Sequence, residues 1–79
     1  EGEILQIIKD TPGARRPHEM KTRKIGSNIA IDIHIEVDRK LNVVQAHNIA
    51  TQVENRIRSS FGRETYISIH IEPEHEKAH

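Results

Sequence analysis

There is no cysteine among the 79 residues. Disulfides, thiolate metal ligands and thiol chemistry are therefore excluded, and any metal site must be built from nitrogen and oxygen donors. Aromatic residues are nearly as scarce, with Phe61 and Tyr66 standing alone, too few for a surface that stacks bases. Neither sign of charge dominates: 12 Lys and Arg balance 12 Asp and Glu. No net field draws the chain to DNA, RNA or an anionic membrane, and no nucleic-acid partner is expected. No apolar run approaches the length of a membrane-spanning helix or a signal peptide core. Catalytic signatures are missing too. Gly26 and Gly62 do not form a phosphate-cradling loop, and no serine or threonine stands in a nucleophile-elbow context. A His–Glu pair can in principle serve as an acid–base dyad, but a small sheet with one open face offers no deep pocket, so the chain is not expected to be an enzyme.

What the chain does have is histidine, 6 in 79 residues. The length fits a single domain. A domain this small buries only about 60% of its unfolded surface, a shortfall that oligomerisation or bound metal commonly makes up. The chain opens at Glu1 rather than methionine, as expected of a piece of a longer protein.

Hydrophobic periodicity predicts five elements. Ile4, Leu5, Ile7 and Ile8 recur at helical spacing and predict a short amphipathic helix over Glu3 to Lys9, ended by Thr11-Pro12-Gly13. Pro17 to Ile25 alternates weakly, with His18, Met20 and Thr22 on one side and Glu19, Lys21 and Arg23 on the other, as in an edge strand. Gly26-Ser27-Asn28 supplies a hairpin turn. The clearest segment follows: Ile29, Ile31, Ile33, Ile35 and Val37 alternate with Ala30, Asp32, His34, Glu36 and Asp38, a strand with one buried and one polar face. Asn42 with Gln45 resembles a capping box. It opens a helix whose stripe is Val43, Ala46, Ala50, Val53 and Ile57, closed at Phe61-Gly62. The last strand sets Ile67, Ile69 and Ile71 against Tyr66, Ser68, His70 and Glu72, and Pro73 stops it. Glu74 to His79 is a polar, loose tail. This α-β-β-α-β order predicts an α+β domain: a three-stranded mixed sheet, with a hairpin, a right-handed parallel crossover and two helices on its isoleucine face.

The polar face is where chemistry can reside. Residues i and i+2 of a strand point the same way, so His70 and Glu72 project together, and His34 projects beside them from the neighbouring parallel strand. His18, on the hairpin partner, can approach the same surface if register permits. His47 lies in the second turn of a helix that starts at the edge where Glu72 ends its strand, which allows a shared site around the rim. Asp32 and Glu36 flank His34 as further ligands or as acceptors for an imidazole N–H. Neutral imidazole and carboxylate suit zinc and its first-row neighbours. A lone exposed histidine is by itself ordinary surface, and His75 and His79 in the tail read as incidental.

The strand Ile31-Asp32-Ile33-His34-Ile35-Glu36-Val37, the helix start Val44-Gln45-Ala46-His47-Asn48-Ile49-Ala50 and the ending Ile69-His70-Ile71-Glu72-Pro73 together resemble the C-terminal cytosolic domain of cation diffusion facilitator transporters, the zinc-transporter dimerisation domain. Pro17-His18-Glu19-Met20-Lys21-Thr22-Arg23 is similar to that family's first strand. The resemblance covers nearly the whole chain and places the domain at 1–74, with 75–79 as the tail. It implies a ferredoxin-like, metallochaperone-like fold, a homodimer, and covalent continuity with a transmembrane domain that exchanges cytosolic divalent metal for protons. It further implies metal ligands at His18, His34, His47, His70 and Glu72. The ion would be Zn2+ above all, with other first-row divalent ions or Cd2+ as alternatives. Glu72 departs from the aspartate often found at its place. Metal shared across the dimer would favour a closed arrangement, a population shift limited by differential affinity for the two arrangements. Two other readings are a purely structural dimerisation module with weak incidental metal binding, and a small free-standing metal carrier.

Overall fold

Isoleucine at alternate positions of one strand sets the whole arrangement. The computed structural model describes residues 2–74, so the tail expected at 75–79, with His75 and His79, lies outside the described residues. Five elements follow in order: α1 (Gly2–Lys9), β1 (Arg15–Ile25), β2 (Asn28–Val37), α2 (Val43–Phe61) and β3 (Tyr66–Pro73). The sheet order is β1-β2-β3, with β2 in the centre, antiparallel to β1 and parallel to β3. This is the expected α+β architecture.

Side chains two apart on a strand share a face, so Ile31, Ile33 and Ile35 form one row, 2%, 0% and 0% exposed. They stand in register with Ile67, Ile69 and Ile71 of β3. Ile4 and Ile8 of α1 and Val53 and Ile57 of α2 cover that row and complete the core. A β-branched ladder of this kind packs well on a pleated surface. It also commits β2 to one orientation, because a slip of one residue would carry every isoleucine to the other face.

The ends of the elements are tied locally. Asn42 and Gln45 form a reciprocal capping box at the start of α2, at 2.7 and 3.0 Å. The Arg56 guanidinium of α2 donates to the Asp10 carbonyl beyond α1 at 2.9 Å, and the Thr11 hydroxyl donates to the Ile7 carbonyl. Glu74, assigned by pattern to the loose tail, is instead held. Its N–H donates to the Val37 carbonyl at 2.8 Å, and Arg15 donates to both of its carboxylate oxygens. The parallel ladder thus continues one residue past Pro73.

Two patterns read differently in three dimensions. Val43 was expected in the apolar stripe of α2 but is 84% exposed, with Val44 beside it at 67%. The buried stripe begins only deeper in the helix, at Ala50. Along β1, His18 does not share a side with Met20 and Thr22. His18 pairs with His34 and Lys21 pairs with Asp32, which places both on the polar face. Thr22 pairs with Ile31 on the core side, and Met20 packs against the core. The register shifts on both sides of His18, each by one extra residue of β1, and such bulges reverse the alternation.

Gly13, between α1 and β1, has φ +90° and leaves its missing Cβ position 2.7 Å from Ile49 Cδ1. Both the left-handed backbone and the close approach favour glycine. Gly13→Ala is therefore expected to lower unfolding free energy by about 1–2 kcal/mol, measured by urea denaturation. Gly2→Ala, which meets nothing within 4 Å, serves as the neutral control.

Candidate metal centre

Because the isoleucines occupy one face of β2, His34 must occupy the other. Strand register does the rest: His18 of β1, His34 of β2 and His70 of β3 are mutual partners across the sheet. They form one row of imidazoles on the polar face. The ring centroids of His18 and His34 are 5.4 Å apart and tilted, and those of His34 and His70 are 4.4 Å apart and stacked within 11°. On one side of this row lies Glu72, paired with Glu36. On the other lies Asp32, paired with Lys21 and Ser68.

Getting His18 onto this face requires unusual backbone. Arg16 and Glu19, one in each bulge, have φ values of 46° and 51°, the left-handed region that side chains with a Cβ occupy at a cost. Pro17 lies between them and has no N–H to give to a ladder. The Arg16 carbonyl accepts the His18 Nδ1–H at 2.8 Å. This leaves Nε2 as the free nitrogen, and it faces Glu72 Oε1 at 3.2 Å. The other carboxylate oxygen, Oε2, lies 2.7 Å from His34 Nδ1. Glu72 therefore joins His18 to His34.

This geometry has an electrostatic consequence. With Nδ1–H given to Arg16, a neutral His18 would turn a lone pair toward a carboxylate oxygen. The contact becomes attractive only when a positive charge enters, either a proton on Nε2 or a cation. Accordingly the Arg16 carbonyl first, then the Glu72 charge, raise the His18 pKa above its ordinary value. The His34 hydrogen bond first, then the charge of His18, hold the Glu72 carboxyl below its ordinary value.

Sequence reasoning named His18, His34, His47, His70 and Glu72, and the fold brings together three of them. His18, His34 and Glu72 each present a donor atom within 4.8 Å of the others, all half-buried. His70 lies alongside, stacked on His34, but its Nε2 meets Asp32 Oδ1 at 2.8 Å. Asp32, read from the sequence as a ligand or an imidazole acceptor, thus serves as acceptor for His70. His47 is exposed on α2 and stands outside the three-donor group of the described residues. The donor set, two borderline imidazole nitrogens and one hard carboxylate oxygen, fits a first-row divalent cation or Zn2+. Three donors leave a tetrahedral ion one position short, to be filled by water or by another side chain. Sequence reasoning missed the bulges, the reversal of His18 and the burial of Glu36. Pro17 inside a strand was the available signal.

A mixed sheet with helices on one face and such a donor cluster on the other defines a small α+β domain whose polar face offers a candidate cation site. Residues 1–74 match the family model of the cation efflux protein, cytoplasmic domain, and the chain belongs to this family. It is similar to the cation-efflux pump FieF of Cronobacter sakazakii, 41% identical over 70 residues covering 89% of this chain and 23% of that protein. FieF of Escherichia coli K12 is 39% identical over 71 residues, again 23% of its length. The chain thus spans about a quarter of the curated relatives it matches. Among solved structures it resembles the metal-bound C-terminal domain of the CzcD transporter from Thermotoga maritima, with 26% identity, TM-score 0.80, and coverage of 90% of this chain and 83% of that one. It also resembles a variant MamM CTD in its cadmium form, with 25% identity, TM-score 0.83, and coverage of 94% and 91%. These neighbours confirm the fold expected from the resemblance, that of cation diffusion facilitator C-terminal domains. No helix among the described residues is long and apolar enough to cross a membrane.

Two expectations test this geometry. Glu19→Val, a β-branched residue at a left-handed position, should cost about 1–3 kcal/mol in chemical denaturation, while Glu19→Gly should cost little. The second concerns pH without metal. His18, with its pKa raised, contributes stability below the ordinary 6.5 and loses it as pH rises through the folded value. Glu72, with its pKa lowered, contributes above the ordinary 4.5 and loses it as pH falls through the folded value. Both contributions are present between these limits. Stability of the metal-free chain should fall from pH 5.5 to pH 8 more steeply in the wild type than in Glu72→Gln, and equal slopes would refute the ion pair.

Proposed function

We propose that this chain is the regulatory and dimerisation part of a divalent-metal/proton antiporter, with zinc as the first candidate, and that His18, His34 and Glu72 bind the regulatory cation. The observation that carries this reading is the convergence of those three donors from separate strands within 4.8 Å. Support for a transport role comes from the FieF relatives, named as cation-efflux pumps, of which this chain matches a minor part. Support for metal comes from the metal-bound CzcD neighbour and the cadmium form of MamM.

When bound, a divalent cation supplies the positive charge that the Glu72 carboxylate and the two ring nitrogens can share. The residues do the remaining work. The Arg16 carbonyl fixes the His18 tautomer, so Nε2 needs no reorganisation. His70 stacks on His34 and restrains its ring, while Asp32 restrains His70. In a homodimer the polar faces and α2 ends of two copies would meet. Val43 and Val44 are exposed there and lie one helical turn before His47, on the same side. They offer the apolar contact, and His47 the missing donor, across the two-fold axis. Closure of the pair would then depend on how much better the closed arrangement satisfies these groups than the open one. Catalysis has no place in this reading.

A second reading, a structural dimerisation module with weak metal binding, is favoured by one observation: Glu72 already accepts from His34 Nδ1–H at 2.7 Å and, once His18 takes up a proton, pairs with it too, with no metal involved. Calorimetric zinc titration with small-angle scattering separates the two. We expect micromolar binding at pH 7 that is largely lost at pH 5, since protons compete for the imidazole nitrogens. His34→Ala and Glu72→Ala should each lower affinity by at least about tenfold. The His34→Ala/His70→Ala double variant should lose zinc-dependent compaction while remaining dimeric. Equal affinity at both pH values, or compaction that survives the double substitution, would leave the structural reading standing.

A further inference from the structure

Among the described residues Glu36 is the buried acid, with only 3% of its surface exposed. It follows His34 by two positions on β2 and therefore shares the polar face. It pairs with Glu72 on β3 and with Arg15 on β1. Its Oε2 lies 3.6 Å from Arg16 Nε, and its Oε1 has no hydrogen-bond partner. A carboxylate withdrawn from water with one oxygen unpartnered lowers stability. An apolar residue would serve the fold better at that place, so the acid calls for a reason other than packing.

Arg16 supplies the connection. Its backbone is left-handed, a conformation that relaxes unless something holds it. Its carbonyl orients His18. Its side chain is 74% exposed, and the carboxylate that faces its Nε, at ion-pair distance and beyond hydrogen-bond length, is Glu36. Glu36 is also close enough for its charge to act on the His18 ring. We propose that Glu36, working through Arg16, is the positioning residue that holds His18 in its cation-binding orientation. The proposal rests on the reading of His18, His34 and Glu72 as a cation site. Glu36 fixes the guanidinium, the guanidinium fixes the first bulge, and the bulge carbonyl fixes the tautomer and direction of the ring. Glu36 itself touches no cation.

The test uses the 79-residue chain and Glu36→Gln, which keeps the shape and removes the charge. Long-range 1H–15N NMR at pH 8 without metal reads the His18 tautomer directly. The wild type should show the Nδ1–H form alone, and Glu36→Gln a mixture of both. Zinc affinity by calorimetry should fall about tenfold, and adding Arg16→Gln should weaken it no further, because the two residues act in series. An unchanged tautomer and affinity, a loss of thermal stability alone, or additive losses in the double variant would overturn the proposal. Should Glu36→Gln not fold, Arg16→Gln at the exposed end of the pair must produce the same tautomer mixture, and its failure to do so would overturn the proposal equally. Wild-type protein that ignores zinc, or whose binding survives His34→Ala, would sink the cation-site reading instead. The metal-free tautomer distinguishes the two failures.

Discussion

The register of β2 with both of its neighbours is the constraint on which the rest depends. Ile31, Ile33 and Ile35 are withdrawn from water, and that burial fixes which way β2 faces. Parallel alignment with β3 sets Ile67, Ile69 and Ile71 beside them and, by the same register, His70 beside His34 and Glu72 beside Glu36. Core and candidate site are two sides of one pairing. A register slip would expose the isoleucines and bury the imidazoles together, so the stability of the core protects the geometry of the site.

On the outer face, the side chains are held by one another. Glu72 bonds His18 and His34, Asp32 bonds His70, and the stacked rings of His34 and His70 join the two groups. One contact in this network is charge-asymmetric: with its Nδ1–H given to the Arg16 carbonyl, His18 turns Nε2 toward Glu72 Oε1. A proton on Nε2 resolves this, and a divalent cation bound there as proposed would compete with that proton.

The backbone strain is concentrated where this chemistry needs it. Arg16 and Glu19 are the non-glycine residues with positive φ among the described residues, and they bracket His18. A regular β1 would have sent His18 toward the core with Met20. Two inserted residues on an edge strand, where the outer backbone is unpaired and can bend, return it to the polar face opposite His34. The left-handed conformations persist because the pairing on each side of the bulges and the ties of Arg16 determine them.

Alternation and helical spacing were enough to settle the five elements, their order and the core faces of β2, α2 and β3. Hydrophobic burial is periodic, and periodicity is visible in one dimension. His34, His70 and Glu72 were placed on one surface by the same logic, since i and i+2 on adjoining strands leave no other choice. Tertiary structure decided what depends on unequal numbers of residues opposite one another. His18 reached the site through bulges that no period reveals, although Pro17 hinted at them. Asp32 took His70, and Glu72 took His18 and His34, because side-chain reach and hydrogen-bond direction choose among neighbours that pattern alone treats as equal. Glu36, read from the alternation as a further ligand or imidazole acceptor beside His34, proved buried, with Arg16 of the neighbouring strand beside it. Val43 was read as core and lies in water, because where a helix's buried stripe begins depends on what packs against it, which spacing alone does not encode.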